Sequence, residues 1–407
     1  MQTQAERLFS GLKAAGMPEV PGQFSVVPGY QAIPQPILAE IGAFIRTFDQ
    51  VTTRPAWQAT VTAQAPSIAQ QKHPEVCFFS AWDFHLPPEH PANWQLIEFN
   101  DNGSGLFFAG LINRMFYEVF DLAQRTDISP PSEFSALAEF VAKTVEAEAR
   151  QFFGEFPSGL FLIVDDAESL QWGKFQSELL LIRDLWRRRG WTVEIASPAE
   201  LRWDGKQLLW NKQRVSFIVN RSTDFFWQAD ILEPLRIAYT AGAVYVAPNP
   251  FTYATRSDKR LLEFFSCSHW DKDLGILPEE RAILSAHTPE TYLIREKNIE
   301  EIARRKTELF FKPLYGFAGQ GILMSSQVGR SRLRRLLKQG KPYVAQKSIP
   351  KTRLQVEGVA ESLSLWTDLR VWAYRGEPFL LSGRASRHPD KLDLNPPGGW
   401  LPTYIRD

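Results

Sequence analysis

The stretch LFLIVDD at 160–166 constrains the chain most: five apolar residues in a row, then two carboxylates. A strand with one wet face alternates apolar and polar residues. A run that is apolar on both faces has to be covered on both, as strands of parallel sheets are when helices pack above and below them. The residues that follow have the rhythm such a sheet requires. A helical pattern over 175–189 ends at Gly190, and WTVEIA and VSFIVNR read as strands on either side of a hairpin at Asp204-Gly205. A helix is predicted over 231–241, and AVYVAPNP is a strand stopped by proline. This alternation predicts a Rossmann-like α/β layer over 159–250.

The flanks read differently. Ahead of the layer, a helix is predicted over 36–50, and strands over 76–83 and 94–100 are separated by the proline-rich LPPEHPAN, so they form a hairpin. Helices follow over 106–123 and 132–153, the second with Ser132 as its N-cap. Behind the layer, helices are predicted over 256–266, 300–305 and 330–339. Strands at 309–313, 343–346, 368–374 and 378–383, the last two joined at Arg375-Gly376, make this part α+β with antiparallel pairing. The 407 residues exceed one ordinary core at ~150 residues per domain. They divide into a mostly helical segment 1–75, a hairpin-and-helix piece 76–158, the α/β layer 159–250 and the α+β part 251–407.

Composition narrows the function classes. Lys+Arg and Asp+Glu are both 46, so no net charge favours coating a polyanion, and the basic helix 330–339 reads as a solvated face rather than a nucleic-acid surface. Two cysteines, Cys77 and Cys267, exclude a disulfide framework or a cysteine-rich zinc site and fit a reducing compartment. The start is polar and broken by Gly and Pro, and no run approaches the ~20 apolar residues of a membrane span. A cytoplasmic protein without membrane or nucleic-acid partners is expected; its oligomeric state is not readable. The histidines lack paired-ligand spacing and no G-x-S-x-G element occurs, so zincin and esterase chemistry find no support.

Three constellations could carry chemistry. In FFKPLYGFAGQGILM, Lys312 ends an apolar strand, and Gly316, Gly319 and Gly321 follow before a second strand at Ile322. Glycines let backbone N–H groups approach phosphate oxygens, and the lysine supplies a charge to them; a simple glycine hairpin is the alternative. In IEFNDNGSG, Glu98 and Asn100 lie two apart on one strand and share a face. A carboxylate and an amide oxygen are hard ligands suited to Mg²⁺, with Asp83 of the partner strand as a third; a solvated strand face is the alternative. In DLRVWAYRGEPFLLSGRASRHPDKLDLNPPGGW, Asp368 and Arg370 share a face, Arg384 leaves the next strand, and Asn395 precedes Gly398-Gly399. These groups could hold an anionic intermediate; surface charge on a hairpin is the alternative.

Together these pieces resemble the ATP-grasp superfamily. SDKRLLEFF is similar to its first nucleotide-binding lysine segment, with Lys259, and TPETYLIREKNIEEIARRKTELFFKPLYGFAGQGI resembles the glutathione-synthetase form of the next stretch, with Lys312. YVAQKSIP resembles the strand that holds adenine, with Gln346 and Lys347, although many members carry Glu where Gln346 stands. The family's Asp-x-Arg corresponds to Asp368 and Arg370, its acyl-phosphate arginine to Arg384, and its Asn before Gly-Gly to Asn395. The family's magnesium ligands normally follow; here Asp83, Glu98 and Asn100 stand near the front instead. That is the order of circularly permuted members such as glutathionylspermidine-synthetase-like ligases. The α/β layer then resembles the family's preceding domain, and Arg221 an arginine there that often faces substrate.

The resemblance implies an ADP-forming ligase with ATP and Mg²⁺ that joins a small-molecule or peptide carboxylate to an amine. A small-molecule kinase or a non-catalytic nucleotide-binding module are the rivals. It places ATP between the Lys312 and Gln346 strands, and the Asp83–Asn100 hairpin against the strands of Lys312 and Arg384.

Overall fold

A computed structural model describes residues 4–15, 25–73, 79–267, 274–315, 321–356, 363–389 and 395–407. Cys77, Gly316 and Gly319 lie outside the described residues.

The predicted α/β layer is present. Strands Val193–Ala196, Leu160–Val164, Gln213–Asn220 and Tyr245–Ala247 pair in that order, all parallel. Leu160–Val164 is buried at every position, as its unbroken apolar run requires. Two hairpins extend the layer. Asp204 Oδ1 accepts the N–H groups of Lys206 and Gln207 in the turn between Arg202–Trp203 and Leu208–Trp210. Asn211 and Lys212, both at positive φ, join the latter strand to Gln213.

The antiparallel part is one central sheet built from both flanks. Its order is Gly399–Leu401, Glu377–Ser386, Leu363–Tyr374, Ser80–His85 and Gln95–Asn100, with Thr352–Val356 also paired to Leu363–Tyr374. One face carries Trp82, Phe84, Leu369 and Val371, buried against Ile41, Phe44, Ile45 and Phe48 of helix Gln35–Thr52. The other face is apolar at one end, where Ala81 and Trp372 lie in the same core as helix Leu106–Val119. At its other end it turns polar. A small second sheet, Thr291–Leu293, Tyr343–Lys347 and Leu309–Pro313, is antiparallel throughout. Its Phe311, Tyr343 and Ala345 share a core with Ile299, Ile302 and Leu333.

Three local expectations change. The helix foreseen over 256–266 is broken: a π-turn at Tyr253–Ser257 is followed by helix Leu261–Ser266. Asp258 is extended between them, and its side chain accepts the N–H of Arg260, which starts a new turn. The helix foreseen from 132 begins at Phe134 with Glu133 as N-cap in an extended backbone conformation, and the Glu133 carboxylate pairs with Arg114 at 2.7 Å. Beyond the glycine loop the backbone makes only a single bridge, Phe311 to Leu323, not a strand. Gly321 there sits at φ +73, where a Cβ would crowd Pro313 at 3.1 Å.

Helix Leu106–Val119 shows how the parts are tied. Its N-terminal donors are satisfied from the α/β layer: Glu178 accepts the N–H groups of Gly105 at 2.8 Å and Phe107 at 2.9 Å. Gly105 is at φ +87, and a Cβ there would meet the Trp400 ring at 2.5 Å.

Candidate functional site

The polar end of the central sheet is set by register. Asp83 faces Arg370 on one side and Glu98 on the other, and Asp368 faces Arg384. Directly opposed residues share a face, so Asp83, Glu98, Asn100, Asp368, Arg370 and Arg384 stand together on the face away from helix Gln35–Thr52. The front hairpin does lie beside the strand pair of Arg370 and Arg384, more than two hundred and fifty residues later in the chain.

A bulge brings in the lysine. Pairing jumps from Asp83 opposite Glu98 to Phe84 opposite Leu96, so Ile97 is left out of the ladder. Lys312 Nζ donates to the Ile97 carbonyl at 2.9 Å and to Gln346 Oε1 at 2.7 Å. Burial lowers the Lys312 ammonium to about 8, with the charge of Glu98 acting the other way. Gln346 is buried, and its amide reaches Thr291 Oγ1 at 3.4 Å.

The arginines are committed to carboxylates. Arg370 clamps Asp83 with both limbs, Nε to Oδ1 at 2.6 Å and Nη2 to Oδ2 at 2.7 Å. Arg384 Nη2 bridges Asp83 Oδ2 at 2.8 Å and Asp368 Oδ2, and its backbone N–H donates to Asp368 Oδ1 at 2.8 Å. Burial alone would raise the Asp83 carboxyl, but the two guanidinium charges hold it far below the usual carboxylate range. Behind it, His85 is pushed down to about 3 by burial and then by the charge of Lys351; its Nδ1 lies 2.9 Å from the Ile349 carbonyl. It is therefore neutral at any ordinary pH.

Several expected roles change with this geometry. Asp83 does not offer an open carboxylate as the sequence suggested, since both oxygens are held by arginine. Asp368 does not turn toward a nucleotide: it is 2 % exposed and holds Arg384. The Lys312 and Gln346 strands are hydrogen-bonded neighbours, Phe310 opposite Gln346, so nothing fits between them and a nucleotide can only lie across their shared face. Lys347 points away from that face and is exposed, with its backbone N–H on the Glu290 carbonyl at 2.8 Å. Arg221 is buried rather than open to a substrate: it donates to Ser104 Oγ and pairs with Glu178 at 3.5 Å, tying the hairpin's end to the α/β layer. Asn395 is exposed, ahead of the Gly399–Leu401 strand.

A small cleft is lined by Glu98 and Phe99 of one segment and by Ser257, Asp258 and Lys259 of another, with Phe48, Leu261 and Leu262 beside them. Glu98 and Asn100 are half-buried on this polar face. Among the described residues no group of three His, Cys, Asp or Glu side chains could hold a metal ion. A hard cation here would have Glu98 and Asn100 as protein ligands and take its other oxygens from water and phosphate, the usual arrangement for Mg²⁺. Asp101 and Ser257, which sequence reasoning passed over, link the two segments that line the cleft: Ser257 Oγ donates to Asp101 Oδ2 at 2.6 Å. Burial raises the Asp101 carboxyl to about 6. The signal was the second acid of IEFNDNGSG, adjacent to Asn100.

No protein-family model matches the sequence, and no curated protein sequence does. Among solved structures the fold is similar to that of a glutathione synthetase-like effector from Globodera pallida in its apoform, at TM-score 0.63 and 10% identity, covering 99% of this chain and 96% of that one. A second similarity, at TM-score 0.46 and 10% identity over 89% of this chain and 87% of the other, is to a structure named as a putative γ-glutamylcysteine synthetase from Methylobacillus flagellatus KT. The chain is thus a mixed α/β protein that shares its fold with the glutathione synthetase-like effector over nearly its whole length. No helix among the described residues is long and apolar enough to cross a membrane.

Proposed function

We propose that the chain is an ATP-dependent, ADP-forming ligase that joins a carboxylate to an amine, built on an ATP-grasp scaffold whose segments are circularly permuted. The observation that carries this reading is the meeting of Lys312 with the Ile97 carbonyl, next to Glu98. A lysine from the rear of the chain thus stands beside the strand that carries Glu98 from the front, which supports reading the one as a phosphate ligand and the other as a metal ligand.

The substrate carboxylate attacks the γ-phosphorus of ATP, forming an acyl phosphate and releasing ADP. The amine then attacks the acyl carbon, and inorganic phosphate leaves. Such transfers need positioned charge more than covalent help from the protein. Lys312 and Lys259 hold phosphate oxygens. Glu98 and Asn100 would hold Mg²⁺, which neutralises phosphate charge when bound. Arg384, fixed by Asp83 and Asp368, and Asn395 face the acyl phosphate. Gln346 orients Lys312 rather than the base.

The Asp83–Arg370 clamp favours a second reading, a module that binds nucleotide without turning it over, because it removes one expected metal ligand. A small-molecule kinase on this scaffold would instead stop after phosphoryl transfer. The readings separate in one assay. Purified protein is given ATP, Mg²⁺ and a panel of amino acid and polyamine pairs, with hydroxylamine added to trap activated acyl groups. Ligase chemistry gives ADP and an acyl hydroxamate. A stable phosphorylated product without hydroxamate identifies a kinase, and ATP binding without ADP from any pair leaves the binding module.

The lowered Lys312 ammonium gives a pH signature. Between about 8 and its ordinary value near 10.5 the lysine is mostly neutral in the free protein. Phosphate favours the charged form, so binding ATP takes up a proton there. Calorimetry at pH 8.5 in two buffers of different ionisation enthalpy should show proton uptake, and Lys312→Met should abolish it. Equal heats in both buffers would place another group against the phosphates.

A further inference from the structure

The segment that delivers Lys259 is held with unusual thoroughness. The π-turn Tyr253–Ser257 is buried at all five positions. Arg256 pairs with Asp49 at 2.7 Å, and Trp57 Nε1 donates to the Thr255 carbonyl at 2.7 Å. Those ties anchor the turn to the helices Gln35–Thr52 and Pro55–Thr62. The tie to the Glu98 strand is of another kind: Ser257, two residues before Lys259, donates to Asp101, one residue after Asn100. Asp101 is 5 % exposed, and among the described residues its Oδ1 has no hydrogen-bond partner. The nearby Arg256 charge offsets part of the cost of burying this carboxyl, but one oxygen still lacks a donor, and such a group calls for an explanation beyond packing. Its position offers one. Glu98 and Lys259 line the same cleft from two different segments, and the Asp101–Ser257 bond links those two segments.

We infer that Asp101 and Ser257 are positioning residues: their hydrogen bond fixes the separation of the Glu98 carboxylate from the Lys259 ammonium, so that a cation on one segment and phosphates on the other bind as a unit. The inference rests on the nucleotide reading above. Neither residue touches the phosphates; each acts through a residue two or three positions away on its own segment. A ligand pair held this way shows thermodynamic coupling, in which the cation tightens ATP by the same factor as ATP tightens the cation.

The test measures ATP affinity by calorimetry with Mg²⁺ present and absent, together with the unfolding temperature. In Ser257→Ala the factor by which Mg²⁺ tightens ATP should fall about tenfold, within the ordinary range of such couplings, while metal-free ATP affinity changes little. Asp101→Ala should lose the coupling likewise. Asp101→Asn keeps an oxygen acceptor for the Ser257 hydroxyl and should retain it. A Ser257→Ala protein with the parent's coupling factor overturns the inference. So does a parallel loss of both affinities and of unfolding temperature, which marks the bond as merely structural. A parent protein that binds no ATP under either condition overturns the nucleotide reading itself, an outcome distinct from both.

Discussion

Lys312→Ala should weaken ATP binding about ten- to a hundredfold, because a hydrogen bond to a charged partner contributes ~1.5–3 kcal/mol. Calorimetry on the folded variant measures this directly, and an unchanged affinity would remove Lys312 from the phosphate site. The geometry adds a second, separable effect. Lys312 also satisfies the Ile97 carbonyl and Gln346 Oε1 inside a buried corner. Truncating it leaves those acceptors without their donor, at a cost of about 1–3 kcal/mol for a buried group. Stability should therefore fall along with affinity. The double variant Lys312→Ala, Gln346→Leu removes one stranded acceptor and should recover part of the stability while ATP binding stays weak. Recovery of both together would mean that the lysine acts only by supporting the fold.

The periodicities of the chain made most of the elements legible. LFLIVDD and the strand–helix alternation after it announce the parallel layer, and the observed pairing of its four main strands is parallel. The residues of the candidate site were also readable, because Glu98 with Asn100 and Asp368 with Arg370 each sit two apart and must share a strand face. What these spacings do not contain is cross-strand register. Nothing local says that Arg370 lies opposite Asp83, yet that one pairing turns an expected metal ligand into a carboxylate clamped by arginine. The bulge at Ile97 is equally silent in sequence, though it frees the carbonyl that receives Lys312. Arg221 and Glu178 fail for the same reason: a carboxylate that caps a helix from about seventy residues away leaves no short-range signal. The end of the π-turn read as ordinary helix because Arg256 and Ser257 fit either state, and only the extended Asp258 decides where one turn ends and the next begins.

The Asp83–Arg370–Arg384–Asp368 group sets the other large effect. Removing the Arg384 guanidinium leaves Asp368, 2 % exposed, with no opposite charge and only the backbone N–H of residue 384 on its carboxylate, and deprives Asp83 of one of its two arginines. Breaking a buried ion pair on one side typically costs ~3–5 kcal/mol, so Arg384→Ala should lose about that much in urea unfolding at pH 7. The pH dependence has a definite sign. Asp83 is held below its unfolded value, so its stabilising contribution is complete above about pH 4 and is lost as the pH falls through the acid range. Without Arg384 the remaining carboxylates are more easily protonated, so the deficit relative to the parent should shrink on going from pH 7 to pH 3. Glu98→Gln provides the contrast. Glu98 is half-buried and contributes no ion pair to this group, so its substitution should change stability by no more than about 0.5 kcal/mol while eliminating Mg²⁺-dependent ADP formation. If Arg384→Ala still folds, its turnover should fall by about 10²–10³, the usual consequence of losing one donor to developing charge, with ATP affinity nearly kept. Parent-like stability in Arg384→Ala would show that the four charges do not hold this end of the sheet together. Metal-dependent turnover surviving in Glu98→Gln would remove the carboxylate on which the ligase reading depends.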